Sequence, residues 1–342
     1  MSVITVVGSG MMGSALSFPT RDNGHEVRLV GTMLDRQIID EVRTTGFHPT
    51  LKRELPDGVK CFQLEELDDA LDGADLVIGG VSSFGVDWFA DDIVPRLPKG
   101  VPVLSVTKGM ANAQPGQLTT FPALLKARAP ATDFCAVGGP CTSYELADRV
   151  QTTVCFCGKN LSLLEQLRAI LRTDYYHISL STDVTGVELA VALKNAYALA
   201  VTLAVGMSEA KGLPQQYNSQ AALFGQGVAE MRQLLALFGG GDENIVWGAG
   251  DLYVTVFGGR TRQLGTLLGE GLAFEDAITQ LAGVTLESVV IASRVAKALR
   301  EKVQLRVAQA DQFPLLLHVD EIINSKVKVD VPWNDFERVS QS

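Results

Sequence analysis

Two features of this chain have residue types and spacing suited to chemistry: a lysine inside an apolar helical run, and glycines placed to receive a phosphate. The stretch Gly186–Ala200 is apolar apart from Glu188, Lys194 and Asn195. A helix apolar nearly all round belongs in a core. An unpaired ammonium is costly there, so Lys194 suits a group that takes and returns a proton. The plainer readings are a structural pair with Glu188 or a lysine that snorkels to solvent. Asn195 adds a second polar group with no evident structural need. Further on, Gly248-Ala249-Gly250-Asp251 reads as a Gly-rich turn that presents a carboxylate partner for a lysine. Gly258-Gly259-Arg260-Thr261-Arg262 offers a guanidinium able to clamp a phosphate with two parallel bonds. Singly, Asp251 reads equally as a helix N-cap and Arg260 as a solvated loop residue.

The glycine motif is Gly8-Ser9-Gly10-Met11-Met12-Gly13, which directly follows Val3–Val7 and opens a helix. In a dinucleotide-binding turn the first glycine makes the bend, the second admits a pyrophosphate, and the third lets helix and strand pack closely. The pyrophosphate then rests on helix N-terminal amides. The second strand ends Val30-Gly31-Thr32, with Asp35 and Arg36 just beyond. Asp35 favours NAD and Arg36 suits a 2′-phosphate, so NAD or NADP stays open, and each residue can equally begin the next helix. Ser105-Val106-Thr107-Lys108-Gly109 puts a lysine at a carboxyl strand end, where such sheets bind ligands; a surface lysine is the even alternative.

The elements that must position these residues divide the chain in two. Apolar runs at Val3–Val7, Glu26–Val30, Leu76–Val81, Val101–Val106 and Phe134–Val137 alternate with amphipathic segments, as in a parallel sheet covered on both faces. Gln151–Cys157 and Tyr175–Ser179 extend it as antiparallel edge strands. Beyond residue 185 the strands stop, and Gly186–Phe238, Glu275–Lys302 and Pro314–Ile323 read as helices. The expected fold is therefore α/β: an N-terminal doubly wound Rossmann-type domain (1–185) followed by a C-terminal all-helical domain (186–342) for substrate binding and catalysis.

Composition narrows the classes. A chain of 342 residues exceeds one ordinary core, and 46% hydrophobic residues exclude disorder. Lys plus Arg is 29 against 39 Asp plus Glu, a net charge of −10. Such a chain has no overall basic field with which to bind nucleic acid. No basic leader precedes the first strand, and the most apolar run, Val187–Gly206, carries Glu188, Lys194 and Asn195, so no integral membrane segment is expected. The five cysteines form no CxxC, and Cys155 and Cys157 share one face of a strand as apolar packing. Four scattered histidines give no metal-ligand spacing, so no metal site is expected. These features suit a reduced, cytoplasmic protein.

In this order the elements resemble the soluble, flavin-free NAD(P)-dependent sn-glycerol-3-phosphate dehydrogenase family. The resemblance rests on Gly8–Gly13, Val106–Gly109, Gly139-Pro140, Lys194-Asn195, Gly250-Asp251-Leu252 with Thr255, Arg260-Thr261-Arg262, Leu264–Gly271 and Asn218–Leu235. It implies that Lys194 is the general base, Asp251 its carboxylate partner, and Lys108 a lysine that binds and polarises the substrate. Arg260 then meets the substrate phosphate and the cofactor, with Asn195, Thr255 and Thr261 lining the substrate. Gly8, Ser9, Gly10, Met11, Met12, Gly13, Lys108, Ser143, Arg260 and Glu287 are implied for the cofactor. The family commonly has Asn at Thr261, a Trp-containing pair at Met11-Met12, and Val-Pro where this chain has Val81-Ser82. The implied activity is interconversion of glycerol 3-phosphate and dihydroxyacetone phosphate. Alternatives are another phosphorylated polyol or a hydroxy acid, and, last, a non-catalytic dinucleotide sensor. A homodimer is expected from the apolar stretch Ala196–Val205.

Overall fold

A computed structural model of the chain describes residues 1–112, 114–283 and 286–337. The chain divides into two compact units: residues 1–108 with 120–188, and residues 109–119 with 189–342.

The first unit is built on an eight-stranded sheet: β1 (Val3–Val7), β2 (Glu26–Val30), β3 (Lys60–Phe62), β4 (Leu76–Gly79), β5 (Val103–Ser105), β6 (Phe134–Gly138), β7 (Thr152–Cys157) and β8 (Tyr176–Ser181). Their spatial order is 8-7-6-5-4-1-2-3. Strands β1 to β6 are mutually parallel, β7 runs antiparallel to β6, and β8 is parallel to β7. The order 3-2-1-4-5-6 is that of a doubly wound dinucleotide fold, and its direction reverses between β1 and β4. Ile4, Val6 and Val7 are wholly buried, as are Val77 and Ile78 on β4, which is why these strands read as continuous apolar runs. Strand β3, an edge of three residues with a single strand neighbour, was too short to stand out in the sequence. β7 and β8 extend the sheet at that edge and both run antiparallel to β1–β6, as the sequence suggested, while being parallel to each other. Helices α1 (Met11–Ala15), α2 (Ser17–Asp22), α3 (Arg36–Thr45), α4 (Leu67–Leu71), α5 (Phe121–Arg128), α6 (Ser143–Ala147) and α7 (Leu161–Leu171) cover the sheet.

The second unit is helical. Its centre is α8 (Val184–Glu209), whose first turn and Glu188 belong to the first unit. Around it lie α9 (Tyr217–Leu237), α10 (Ile245–Thr255), α11 (Gly259–Gly269), α12 (Phe274–Gln280), α13 (Glu287–Gln304) and α14 (Pro314–Asp320). α8 is apolar and long enough to cross a bilayer, yet 94% of its most apolar window is buried within the protein. It is a core helix. Close crossings explain the glycines nearby. A Cβ on Gly206 would stand 1.9 Å from the Thr266 carbonyl oxygen, and one on Gly265 2.0 Å from the Thr202 hydroxyl, so α8 and α11 meet backbone to backbone. The run Glu275–Lys302 is two helices, α12 and α13, rather than one. Residues 109–119, which sequence reading assigned to the first domain, pack with the second unit; Arg294 of α13 donates to the Met110 carbonyl at 2.7 Å.

Candidate active site

In the first unit the glycine-rich turn has the build of a pyrophosphate cradle. Gly8 has φ of +107°, and a Cβ there would lie 2.8 Å from the Gly80 backbone; one on Gly13 would lie 2.4 Å from the Gly8 carbonyl oxygen. These two glycines are required by protein packing. Gly10 is different: its backbone is ordinary extended (φ −64°), and the nearest atom to a Cβ is the Gly80 oxygen at 3.7 Å. The protein does not crowd the space beside Gly10, which leaves a ligand room to approach the backbone there. Met11 and Met12 begin α1, and Ser143 begins α6.

Two side chains that the sequence did not assign to the turn hold Ser9. Asp35 Oδ2 accepts from the Ser9 amide (3.2 Å), the Thr32 amide (2.9 Å) and the Thr32 hydroxyl (2.8 Å). His48 Nε2 donates to the Ser9 carbonyl at 2.8 Å, while Nδ1 accepts from the Leu51 amide at 3.1 Å. Burial holds the His48 ring below the usual imidazole range. No motif marked His48, because its pairing with Ser9 spans 39 residues. Asp35 stands at the N-cap position of α3 without a side-chain bond to the helix, and Arg36 pairs with Glu65.

At the carboxyl end of β5, Lys108 donates to the Gly139 carbonyl at 3.0 Å, just beyond β6. Glu188 lies wholly buried in the same unit, and neither carboxyl oxygen meets a protein donor among the described residues. Burial pushes its carboxyl up to about 8, against the pull of the Lys108 ammonium. The Cys155 thiol is likewise pushed up to about 12 by burial, as expected of a packing residue.

In the second unit Lys194 Nζ donates to Asp251 Oδ1 at 2.7 Å, with side chains 14% and 1% exposed. The pair decides between the sequence alternatives: Lys194 joins Asp251 rather than Glu188. Asp251 sits inside α10, not in a turn. The surrounding glycines serve a helix crossing, since a Cβ on Gly248 would stand 2.6 Å from the Ala190 carbonyl oxygen. That close approach of α10 to α8 brings the carboxylate to the lysine. Asn195 is 9% exposed, and the Thr255 hydroxyl donates back to the Asp251 carbonyl at 2.7 Å. Arg260 is exposed on the first turn of α11, beside buried Thr261, and Arg262 donates to the Val256 carbonyl at 2.8 Å. Glu287 opens α13. Among the described residues no cluster of three metal-ligating side chains occurs.

The two halves, a dinucleotide turn and a buried Lys–Asp pair in one chain, match known proteins from end to end. Residues 3–164 match the N-terminal part of the NAD-dependent glycerol-3-phosphate dehydrogenase family, and residues 183–333 match its C-terminal part. An NADP-dependent glycerol-3-phosphate dehydrogenase from Archaeoglobus fulgidus is 34% identical over 82% of this chain and 83% of its own. The chain belongs to this family. It is an NAD(P)-dependent oxidoreductase acting on a CH–OH group. A glycerol-3-phosphate dehydrogenase [NAD(P)+] from Myxococcus xanthus is 30% identical over 82% of both chains. The crystal structure of the Coxiella burnetii glycerol-3-phosphate dehydrogenase shares the fold, with a TM-score of 0.81 over 98% of this chain and 97% of that one, at 24% identity.

Proposed function

We propose that the enzyme interconverts sn-glycerol 3-phosphate and dihydroxyacetone phosphate, with Lys194 as the proton-transferring group. The buried Lys194–Asp251 pair carries this reading. A nicotinamide dinucleotide held on the Gly8–Gly13 turn would supply the hydride acceptor for alcohol oxidation and the donor for ketone reduction. In reduction the Lys194 ammonium gives its proton to the carbonyl oxygen as the alcohol forms; in oxidation the amine takes the hydroxyl proton. Asp251 Oδ1 fixes the Lys194 nitrogen and balances its charge. Lys108 supplies positive charge where the oxygen becomes negative. Arg260 pairs with the substrate phosphate, and Asn195, Thr255 and Thr261 complete the polar lining. Gly8, Ser9, Gly10, Met11, Met12, Gly13, Ser143 and Glu287 hold the cofactor. Steady-state turnover of dihydroxyacetone phosphate, against a panel of other ketone phosphates and keto acids, tests the substrate. Highest kcat/KM for another member of the panel overturns it.

We infer that NADP(H) is preferred. Asp35 spends Oδ2 on Ser9 and Thr32, and the neighbouring Arg36, an exposed guanidinium that pairs with Glu65 at the surface, can exchange that partner for a 2′-phosphate. The A. fulgidus relative is named for NADP dependence. A lower KM for NADH than for NADPH contradicts the preference.

A homodimer is part of the same proposal, on a different surface from that first expected. Ala196–Val205 is covered by the chain's own helices. Val246 and Tyr253 of α10, seven residues apart on one helix face, and Phe257 just beyond the helix are 60%, 59% and 62% exposed and suit a second copy. A monomer mass by light scattering at micromolar concentration removes the dimer. The setting proposed is the cytoplasm, whose reducing poise suits buried thiols such as Cys135 and Cys155; recovery of the enzyme in another fraction removes it.

A further inference from the structure

The chain buries two glutamates in contrasting ways. Glu230 of α9 is surrounded by donors: Gln226 at 2.7 Å, the Leu315 and Leu316 amides at 2.8 and 2.9 Å, and the Tyr197 hydroxyl at 2.9 Å. It is a structural carboxylate, tying the start of α14 to α8 and α9. Glu188 is equally buried, at 0% exposure, yet both of its oxygens lack any protein donor among the described residues. Interiors rarely hold an unmet carboxyl without a functional reason. Among the described residues its electrostatic neighbours are Lys108, beyond β5, and Cys157, at the end of β7. Cys157 stays uncharged, since burial raises it well above the usual thiol range. Lys108 is therefore the cation through which Glu188 can act.

We propose that Glu188 is a positioning residue for Lys108, its carboxyl setting where the ammonium lies and how much positive charge it offers the substrate oxygen. The inference rests on the reading of Lys108 as the residue that polarises the carbonyl. Near neutral pH burial keeps Glu188 protonated, and Lys108 presents its full charge. Above about pH 8 the carboxyl ionises, and the new carboxylate draws the ammonium toward itself and away from the substrate. Ketone reduction then falls through a limb that belongs to neither Lys194 nor Asp251.

The test compares kcat/KM for dihydroxyacetone phosphate, at saturating reduced cofactor, for wild type, Glu188→Gln and Lys108→Met over the range from neutral to alkaline pH. Glu188→Gln is expected to lack the alkaline limb that wild type shows, so that the ratio of their kcat/KM values changes about tenfold between pH 7 and pH 9. Superimposable profiles, or a uniform loss at every pH with a lowered Tm, overturn the proposal. A second readout needs no folded glutamine variant: the infrared carbonyl band of a buried protonated carboxyl should vanish near pH 8 in wild type. In Lys108→Met it should persist to higher pH, because the ammonium favours ionisation. An unshifted band overturns the coupling. If Lys108→Met reduces the ketone at the wild-type rate, the reading of Lys108 fails, whatever Glu188 does.

Discussion

Lys194 and Asp251, 57 residues apart in sequence, meet at 2.7 Å with the carboxylate 1% exposed. Removing one partner of such a pair leaves an uncompensated buried charge, whereas the intact pair adds little net stability. Its retention in the core of the helical unit is therefore explained by chemistry better than by folding.

The cofactor turn gives a clean test. Gly10 has backbone angles open to any residue, and a Cβ there meets only the Gly80 oxygen at 3.7 Å. Gly10→Val should fold with a Tm near wild type and lose NAD(P)H affinity by more than about tenfold, roughly 1.4 kcal/mol. Calorimetric titration checks it. Gly13→Val is the contrast: with the Gly8 oxygen 2.4 Å from the added carbon, it should unfold the turn itself.

His48 makes the turn sensitive to acid. Burial holds the ring below the usual imidazole value of 6.5. Its folded pKa is thus depressed, so its contribution is fully present above 6.5 and is lost as pH falls through the folded value. Protonation also ends acceptance from the Leu51 amide. Affinity for oxidised cofactor should weaken several-fold on acidifying from above 6.5 through the depressed His48 value in wild type, and His48→Gln should flatten that dependence.

Much of this was legible in the sequence. Continuous apolar strands followed by helices announced the two-part architecture, and the position of Gly8–Gly13 after β1 separated a dinucleotide turn from an ordinary one. Residues whose roles come from packing were not legible. Asp251 read as part of a turn because Gly248 and Gly250 look like breakers, while Gly248 in fact lets α10 touch the Ala190 carbonyl. Asp35 and His48 were separate polar residues until the fold brought both to Ser9. Lys194 could be singled out only because a charge in an apolar helix is costly. Its partner needed three dimensions.

The phosphate reading rests on Arg260. It lies exposed at the start of α11, so its removal should leave folding nearly unchanged. Arg260→Ala should raise KM for dihydroxyacetone phosphate by about 10²-fold, with a smaller effect on kcat. Steady-state kinetics with matched thermal melts checks it; an unchanged KM removes Arg260 from the site.

Glu230 should behave oppositely. Glu230→Gln turns an acceptor of four hydrogen bonds into a group whose NH2 faces one of the two amides, that of Leu315 or that of Leu316, donor against donor. A loss of about 2–4 kcal/mol is expected in denaturant unfolding, with cofactor affinity unchanged in the folded fraction.

The most direct measurement of the central claim is the pH–rate profile of ketone reduction by Lys194→Met beside wild type. Methionine keeps the apolar volume and removes the amine. The account predicts a kcat lower by about 10²–10⁴, near-normal NAD(P)H affinity, and poor rescue by Lys194→Arg, because a guanidinium does not release its proton near neutral pH. A Lys194→Met enzyme with wild-type kcat and an unchanged profile would contradict it, and the proton would have to be handled elsewhere.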